Sequence, residues 1–270
     1  RLHPGLQYHL ANTLRWNGLR PTQAAAVDPI LSGQDTLVLA PTAGGKTEAA
    51  VFPLLSRMAS EEWQGLSVLY ICPLRALLNK LTPRIDGYCQ WLGRNSAVWH
   101  GDIGQSQRQR ILTDRPDILL TTPESLEAML VSTKVDTRLL FSGLQAVVVD
   151  EIHAFAGDDR GWHLLGVLER LSRVAGREVQ RIGLSATVGN PQELLDWLQG
   201  SFTQRAKTLV APEVGGSTAP PEITVDFVGS LPNAATLIAA LHQGEKRLVF
   251  VESRRRAEEL GAALRQRGVE

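Results

Sequence analysis

Apolar residues along the chain fall into two alternating textures. Six short runs are rich in aliphatic and β-branched residues and show little alternation with polar ones: Thr36 to Ala40, Ser67 to Cys72, Ala97 to His100, Asp117 to Thr122, Gln145 to Asp150 and Val179 to Ser185. Strands of that kind are apolar on both faces and belong to a sheet buried between two layers. Between them lie helix-length stretches: Pro21 to Leu31, Lys46 to Met58, Ala76 to Trp91, Pro123 to Leu130, Trp162 to Ala175 and Pro191 to Leu198. Pro123 and Pro191 stand where a first helical turn begins, a position at which proline's missing N–H costs nothing. This alternation predicts an α/β fold, a doubly wound domain on a mainly parallel sheet.

After about Val210 the texture changes. The stretch APEVGGSTAPPE has no apolar period and reads as a linker, and the pattern then restarts. ITVDFV and RLVFVES read as strands, and Ala234 to His242 and Arg255 to Arg267 as helices. The expected organisation is a first domain over 1–210, a linker over 211–221 and a second domain beginning over 222–270. The last segment holds too few elements for an independent parallel-sheet domain, so its remainder is expected outside these residues. No internal repeat of solenoid period is present.

Composition narrows the function classes. With 270 residues, 43% of them hydrophobic, the chain can bury an enzyme-sized core, and its formal charge of zero gives no global attraction to a polyanion. A nucleic-acid site must therefore be a local patch. Only five of the 28 cationic residues are lysine (Lys46, Lys80, Lys134, Lys207 and Lys246). Arginine's planar fork suits phosphate contacts, and a codon bias gives the same count. Cys72 and Cys89 are the two cysteines and form no C-x-x-C pair, which argues against a disulfide scaffold or zinc knuckle and for a reducing, cytoplasmic setting. No apolar run approaches the roughly 18 residues of a membrane span, and RLHPGLQYHL lacks a signal-peptide core. The chain opens on arginine, so residues are expected upstream of it.

The candidate chemistry begins at LVLAPTAGGKTEAA, Leu37 to Ala50. A phosphate-binding loop works through consecutive backbone N–H groups and a helix N-terminus aimed at the polyphosphate, a lysine that reaches its terminal charge, and a hydroxyl that ligates magnesium. Thr42, Ala43, Gly44, Gly45, Lys46 and Thr47 supply those parts. The strict pattern wants glycine where Ala40 stands, but that position only begins the turn. A strand-to-helix turn that merely contains G-K-T is the alternative. A second motif, VVVDEIH, Val147 to His153, ends another buried run. Asp150 there can hold Mg²⁺ and Glu151 can polarise an attacking water, on the edge where open α/β sheets bind ligands. An acidic pair after a strand is also a common helix cap. Together the two motifs point to a magnesium nucleotide.

APTAGGKT, then DEIH, then LSAT at Leu184 to Thr187, resembles the ordered motif set of superfamily 2 helicases of the DEAD/DEAH type. RPTQ (Arg20 to Gln23), YICPLRALL (Tyr70 to Leu78), TTPESLEAML (Thr121 to Leu130), DEIHAFAGDDRGWHLLGVLERL (Asp150 to Leu171) and LSATVGNP (Leu184 to Pro191) resemble the Lhr-like DNA helicases within it. The resemblance implies a RecA-like P-loop NTPase domain followed by the start of a second RecA-like domain, with ATP and Mg²⁺ as cofactors. It also implies roles. Gln23 would read adenine, its amide donating and accepting at the N6 and N7 edge, with Arg20 opening the same segment; a helix-surface glutamine is the plain alternative. Lys46 and Thr47 take phosphate and magnesium, Asp150 the magnesium, and Glu151 the catalytic base. His153, Ser185 and Thr187 would couple hydrolysis to strand movement, although a local hydrogen bond or a turn cap accounts for each as well.

Helicases of this class grip the sugar-phosphate backbone rather than base edges. Pro73, Leu74 and Arg75 resemble one strand-contacting motif, Thr121, Thr122 and Glu124 another, with Gly101 and Asp102 between them, and Ser253 and Arg254 resemble the contact from the second domain. Thr122 before Pro123 is equally a helix cap, and RRRAEEL equally a solvated helix face. Trp162 and Trp197 fall among leucines at helical spacing and are expected in the core, whereas Trp16 precedes NGLRPTQ and stands close to the adenine-reading segment. No glycine-arginine finger motif of the QRxGRxGR kind occurs, so this segment is expected to bind nucleotide and hydrolyse it very slowly. The reading is the ATP-binding motor portion of an ATP-dependent helicase or translocase acting on single-stranded or forked DNA, with no membrane association and no protein partner legible. The same residues also suit a duplex-DNA translocase subunit of a restriction or defence complex, an RNA helicase, or a nucleic-acid-binding module that does not hydrolyse ATP.

Overall fold

The apolar runs become strands because each has two faces to bury. A computed structural model of the chain describes residues 2–41, 44–186, 188–211, 223–241 and 243–269. It divides into two compact units, Arg1–Val214 and Gly215–Glu270. Among the described residues seven strands form one sheet: β1 (Asp35–Leu39), β2 (Val68–Ile71), β3 (Ser96–Trp99), β4 (Ile118–Thr121), β5 (Ala146–Val149), β6 (Gln180–Ser185) and β7 (Lys207–Val210). Their order is β3-β4-β2-β5-β6-β1-β7, and every neighbouring pair is parallel.

Along each strand successive side chains alternate between the two faces. Val68, Tyr70, Ala146, Val148, Ile182 and Leu184 pack in one apolar cluster, with α1 (Pro4–Asn12), α2 (Pro21–Leu31), α3 (Lys46–Ser60) and α4 (Arg75–Gln90). Leu69, Ile71, Val147 and Val149 pack in the other. That second face carries α6 (Pro123–Val131), α7 (Thr137–Phe141), α8 (Asp159–Ala175) and α9 (Pro191–Gln199), joined by Ile111 of α5 (Gln105–Asp114). The sheet is therefore covered on both sides, a parallel RecA-like arrangement. α6 and α9 each begin on the proline that marked them, and α2 likewise begins on Pro21.

Four elements left no sequence signal. α5 buries only Ile111, α1 only Leu6 and Leu10, and α7 is 5 residues long, so none has an apolar stripe to read. β7 is a half-exposed edge strand paired to β1 alone.

Trp162 corrects the expectation that it lies in the core, since it is 69% exposed. The buried stripe of α8 runs through Leu164, Val167, Leu168, Leu171 and Ala175, and two residues before Leu164 is about 200° around a helix, on the far face. Trp197 does pack, partly buried, against the second of the two apolar clusters.

The second unit contains α10 (Leu231–Ala240) and α11 (Arg254–Arg265). ITVDFV and RLVFVES, expected as strands, are not paired as strands among the described residues. Phe227 is 99% and Phe250 84% exposed. A strand exists only with a ladder partner and a covered face, and the described part of this unit gives these segments neither.

Candidate nucleotide site

Parallel strands deliver all their C-terminal ends to one rim, and the register sets which residues meet there. Leu39 is level with Ser185, Val149 with Ile71, Ile71 with Thr121, and Thr121 with Trp99. Backbone bonds just past the strands hold the rim together: Ala40 N–H to the Ser185 carbonyl (3.2 Å), Asp150 N–H to Ile71 (2.8 Å) and Cys72 N–H to Thr121 (3.0 Å). The two motifs, far apart in sequence, thus open on the same edge.

Gly45 caps α3 from the left-handed region, at φ 80° and ψ 27°. A Cβ there would lie 2.3 Å from Gln23 Nε2, and a Cβ on Gly44 would lie 2.8 Å from both the Pro41 carbonyl and the Ala40 Cβ. Both positions thus require glycine, leaving bare backbone at a helix N-terminus, the geometry that accepts an anion. Ala40 is buried beneath this turn, so its departure from the strict motif leaves the two glycines at the loop's approach to α3 unaffected. Thr42 and Ala43 lie outside the described residues. Lys46 is buried, and its Nζ donates to the Ala40 carbonyl (2.9 Å) and the Pro41 carbonyl (3.4 Å).

Gln23 is buried rather than on a helix surface. Its Oε1 accepts the Arg20 N–H at 2.9 Å and its Nε2 donates to the Gly45 carbonyl at 3.3 Å. The start of α2 is thereby tied to the glycine loop, with the exposed Arg20 as its N-cap.

Asp150 is also buried; its Oδ1 accepts the Glu151 N–H (2.9 Å) and its Oδ2 accepts the Tyr70 hydroxyl (2.9 Å). Burial raises its pKa above the usual carboxylate value, and the Tyr70 hydrogen bond opposes that rise. Glu151 turns the chain out of β5 at φ 47°, a left-handed conformation that is strained for a glutamate. A short 3-10 turn, Ile152–Ala154, follows. Its His153 Nδ1 lies 3.2 Å from the Ser185 hydroxyl and 3.5 Å from Glu151 Oε2. Thr187 lies outside the described residues.

Gln23, Gly44, Gly45, Lys46, Thr47, Asp150 and Glu151 line one cleft of about 520 Å³ together with Trp16 and Arg20. Trp16 is half-buried against Phe52, with ring centres 5.9 Å apart. The far wall was not foreseen: it is Leu77, Lys80, Leu81 and Arg84 of α4, with Arg84 Nε 3.4 Å from the buried Glu48, which also accepts the Tyr88 hydroxyl at 2.9 Å. Among the described residues no group of three His, Cys, Asp or Glu side chains can hold a metal ion. A magnesium ion here would take Asp150 and Thr47 from the protein and complete its shell with phosphate and water, as that ion commonly does.

Further along the rim, Arg75 pairs with Asp102 at 2.8 Å and lies so close over Gly101 that a Cβ there would be 2.9 Å from its Nη2. Leu74 is 58% exposed. The hydroxyls of Thr121 and Thr122 are turned inward: Thr121 donates to the Trp99 carbonyl (2.8 Å), and Thr122 caps α6 by accepting the Ser125 N–H (3.3 Å). Arg160, which the sequence did not single out, joins two of the expected motifs. Its Nη2 donates to the Pro73 carbonyl (3.1 Å) and to Glu124 (3.0 Å), and its guanidinium sits 5.4 Å from the Phe155 ring centre. It is seated there because α8 packs tightly on the preceding turn, where a Cβ on Gly161 would lie 2.1 Å from the Phe155 carbonyl. Ser253 and Arg254 belong to the second unit, where Ser253 caps α11 and Arg254 pairs with Glu258. Among the described residues no helix is long and apolar enough to cross a membrane.

Comparison with known proteins agrees with this geometry. Residues 20–194 match the family model described as DEAD/DEAH box helicase. The chain is 36% identical to the Lhr helicase/probable uracil glycosylase of Mycolicibacterium smegmatis, over 91% of its own length and 18% of that protein's. It is 32% identical to ATP-dependent helicase Lhr-Core protein 2 of Thermococcus barophilus, over 92% and 32%. Among solved structures it resembles the Mycobacterium smegmatis helicase Lhr bound to ssDNA and AMP-PNP, with a TM-score of 0.78, 33% identity, and coverage of 100% of this chain and 37% of that one. The helicase MrfA gives a TM-score of 0.77 at 25% identity, over 98% of this chain and 41% of its own. The chain thus spans under half the length of each of these relatives. With its glycine loop and acidic pair on one rim of a parallel sheet and the family model covering both, the chain belongs to the DEAD/DEAH box helicases.

Proposed function

We propose that this chain is the ATP-binding part of the motor of an ATP-dependent DNA helicase of the Lhr-like kind, working in the cytoplasm. The observation that carries the proposal is the shared cleft of Lys46, Thr47, Asp150 and Glu151. DNA is favoured over RNA because the solved relative at 33% identity holds ssDNA, and two free, buried cysteines suit a reducing compartment. In this reading the glycine loop and the N-terminus of α3 hold the triphosphate, and Lys46 leaves its two loop carbonyls to meet the terminal phosphate charge. When bound, magnesium neutralises charge on the phosphates. Glu151 orients the attacking water and accepts its proton, and His153 with Ser185 connects that event to the neighbouring strand. Arg75, Gly101, Asp102 and the start of α6 present the edge along which a DNA backbone lies.

Lys46→Ala is expected to weaken binding of a fluorescent ATP analogue by roughly ten- to a hundredfold, the worth of a charged hydrogen bond. Unchanged binding would favour a nucleic-acid module that does not use ATP. Assayed by themselves, the 270 residues are expected to turn over ATP slowly with or without DNA, because their sequence contains no QRxGRxGR motif and finger arginines contribute about three to five powers of ten in rate. DNA-stimulated turnover at ordinary helicase rates from these residues alone would reject that. Forked-DNA unwinding, against displacement along intact duplex, by a protein containing this chain separates a helicase from a duplex translocase, and an RNA fork tests the remaining substrate.

A further inference from the structure

Tyr70 stands apart from its neighbours in the sheet. It is fully buried in β2, in a row with Val68 and Cys72, where an aliphatic side chain would pack as well. A buried hydroxyl costs free energy unless it is hydrogen-bonded, and this one has a specific partner. Tyr70 is level with Val148 of β5, so Asp150 lies two positions further on, within diagonal reach of a long side chain. The hydroxyl donates to Asp150 Oδ2 at 2.9 Å. The Asp150 Oδ1 is separately held by the Glu151 N–H, so the carboxylate is fixed at both oxygens.

We propose that Tyr70 is a positioning residue for magnesium: its hydroxyl fixes the carboxylate of Asp150 in the orientation a magnesium nucleotide meets. This rests on the reading of the cleft as a nucleotide site. The Tyr70 hydroxyl touches one of the two protein groups that would serve the ion, Asp150, and the other, Thr47, lines the same cleft. Groups that orient metal ligands in this way commonly change metal affinity by ten- to a hundredfold when removed. Tyr70 also precedes Pro73, Leu74 and Arg75 by three to five residues, so the strand that orients the metal-site carboxylate runs directly into the segment expected to touch DNA.

The test is equilibrium binding of a fluorescent ATP analogue to the full chain, titrated with Mg²⁺ and repeated in EDTA, for wild type, Tyr70→Phe, Asp150→Asn and the double variant. Tyr70→Phe is expected to raise the Mg²⁺ concentration for half-maximal binding about tenfold, with affinity in EDTA unchanged. It is expected to add nothing on the Asp150→Asn background, since it acts through that carboxylate. An Mg²⁺ requirement equal to wild type, or an equal loss in Mg²⁺ and EDTA, would overturn the role of Tyr70 while leaving the cleft assignment standing. Nucleotide binding by wild type that ignores Mg²⁺ would remove the cleft assignment and this inference with it. Should Tyr70→Phe fail to fold, Tyr70→Met carries the same comparison, since it also lacks the hydroxyl: a raised Mg²⁺ requirement with affinity in EDTA unchanged supports the positioning role, and a wild-type Mg²⁺ requirement or a loss equal in Mg²⁺ and EDTA overturns it.

Discussion

Glu151→Gln is expected to lower ATP turnover by about a thousandfold in a protein containing this chain, while the affinity for a non-hydrolysable ATP analogue stays close to wild type. A positioned proton acceptor contributes roughly 10² to 10⁴ in rate. Glutamine keeps the size of Glu151 and its place at the head of the Ile152–Ala154 turn, but it cannot accept the proton of an attacking water. The neighbours of Glu151 make it the candidate base in preference to Asp150. Asp150 has one oxygen on Tyr70 and the other on the Glu151 backbone, whereas the Glu151 side chain is 33% exposed into the cleft with His153 beside it. Steady-state turnover and analogue binding on the same preparation decide the point. Wild-type turnover in the variant would remove Glu151 from the mechanism, and loss of both readouts would point to a collapsed turn.

The largest stability effect is expected at Arg181, far from the cleft. This arginine is 1% exposed on β6. Its Nη1 donates to the carbonyls of Leu198 (3.0 Å) and Gln199 (3.1 Å) at the end of α9, its Nη2 pairs with Glu169 of α8 at 2.9 Å, and it stacks on Phe202 at 5.2 Å. It thus caps one helix, bridges to a second and neutralises a carboxylate. Arg181→Leu takes the donor from two helix-terminal carbonyls and leaves Glu169 with Ser201 alone, and breaking a buried pair from one side costs about 3–5 kcal/mol, toward the low end here because Glu169 keeps that partner and is partly exposed. Urea unfolding read at a single wavelength measures it. A loss under about 1 kcal/mol would mean the pair contributes little.

The pH dependence gives that prediction a sign. Partial burial alone would raise the Glu169 carboxyl, but hydrogen bonds from Ser201 and Arg181 hold it below the ordinary 4.5. A carboxylate depressed in the folded state contributes stability that is present above its unfolded value and lost as pH falls through its folded one. The gap between wild type and Arg181→Leu is therefore expected to be widest near neutral pH and to narrow below about pH 4.5.

The sequence by itself determined the elements of the sheet domain, and nominated its candidate site, wherever the signal is local. Six strands could be read because a strand buried on both faces must be apolar throughout, and the glycine loop could be read because only glycine fits at Gly44 and Gly45. Lys46, Asp150 and Glu151 could be nominated as candidates for a local reason too: Asp150 and Glu151 directly follow β5, and Lys46 opens α3 behind the loop that leaves β1. The tertiary structure alone decided which distant residues became partners. Tyr70 looks like any aromatic in an apolar run until β2 and β5 are in register, and Arg160 looks like a surface charge until α8 sets it against Pro73 and Glu124. Arg181, an arginine inside an apolar strand, acquires its three acceptors from α8 and α9 only once those helices cover the sheet. Trp162 went the other way, since an apolar residue at the wrong angle on a helix faces water whatever its neighbours in sequence. Spacing along a chain fixes which face a side chain takes; a hydrogen bond between elements depends on two faces meeting, and that is set by the packing of the whole sheet.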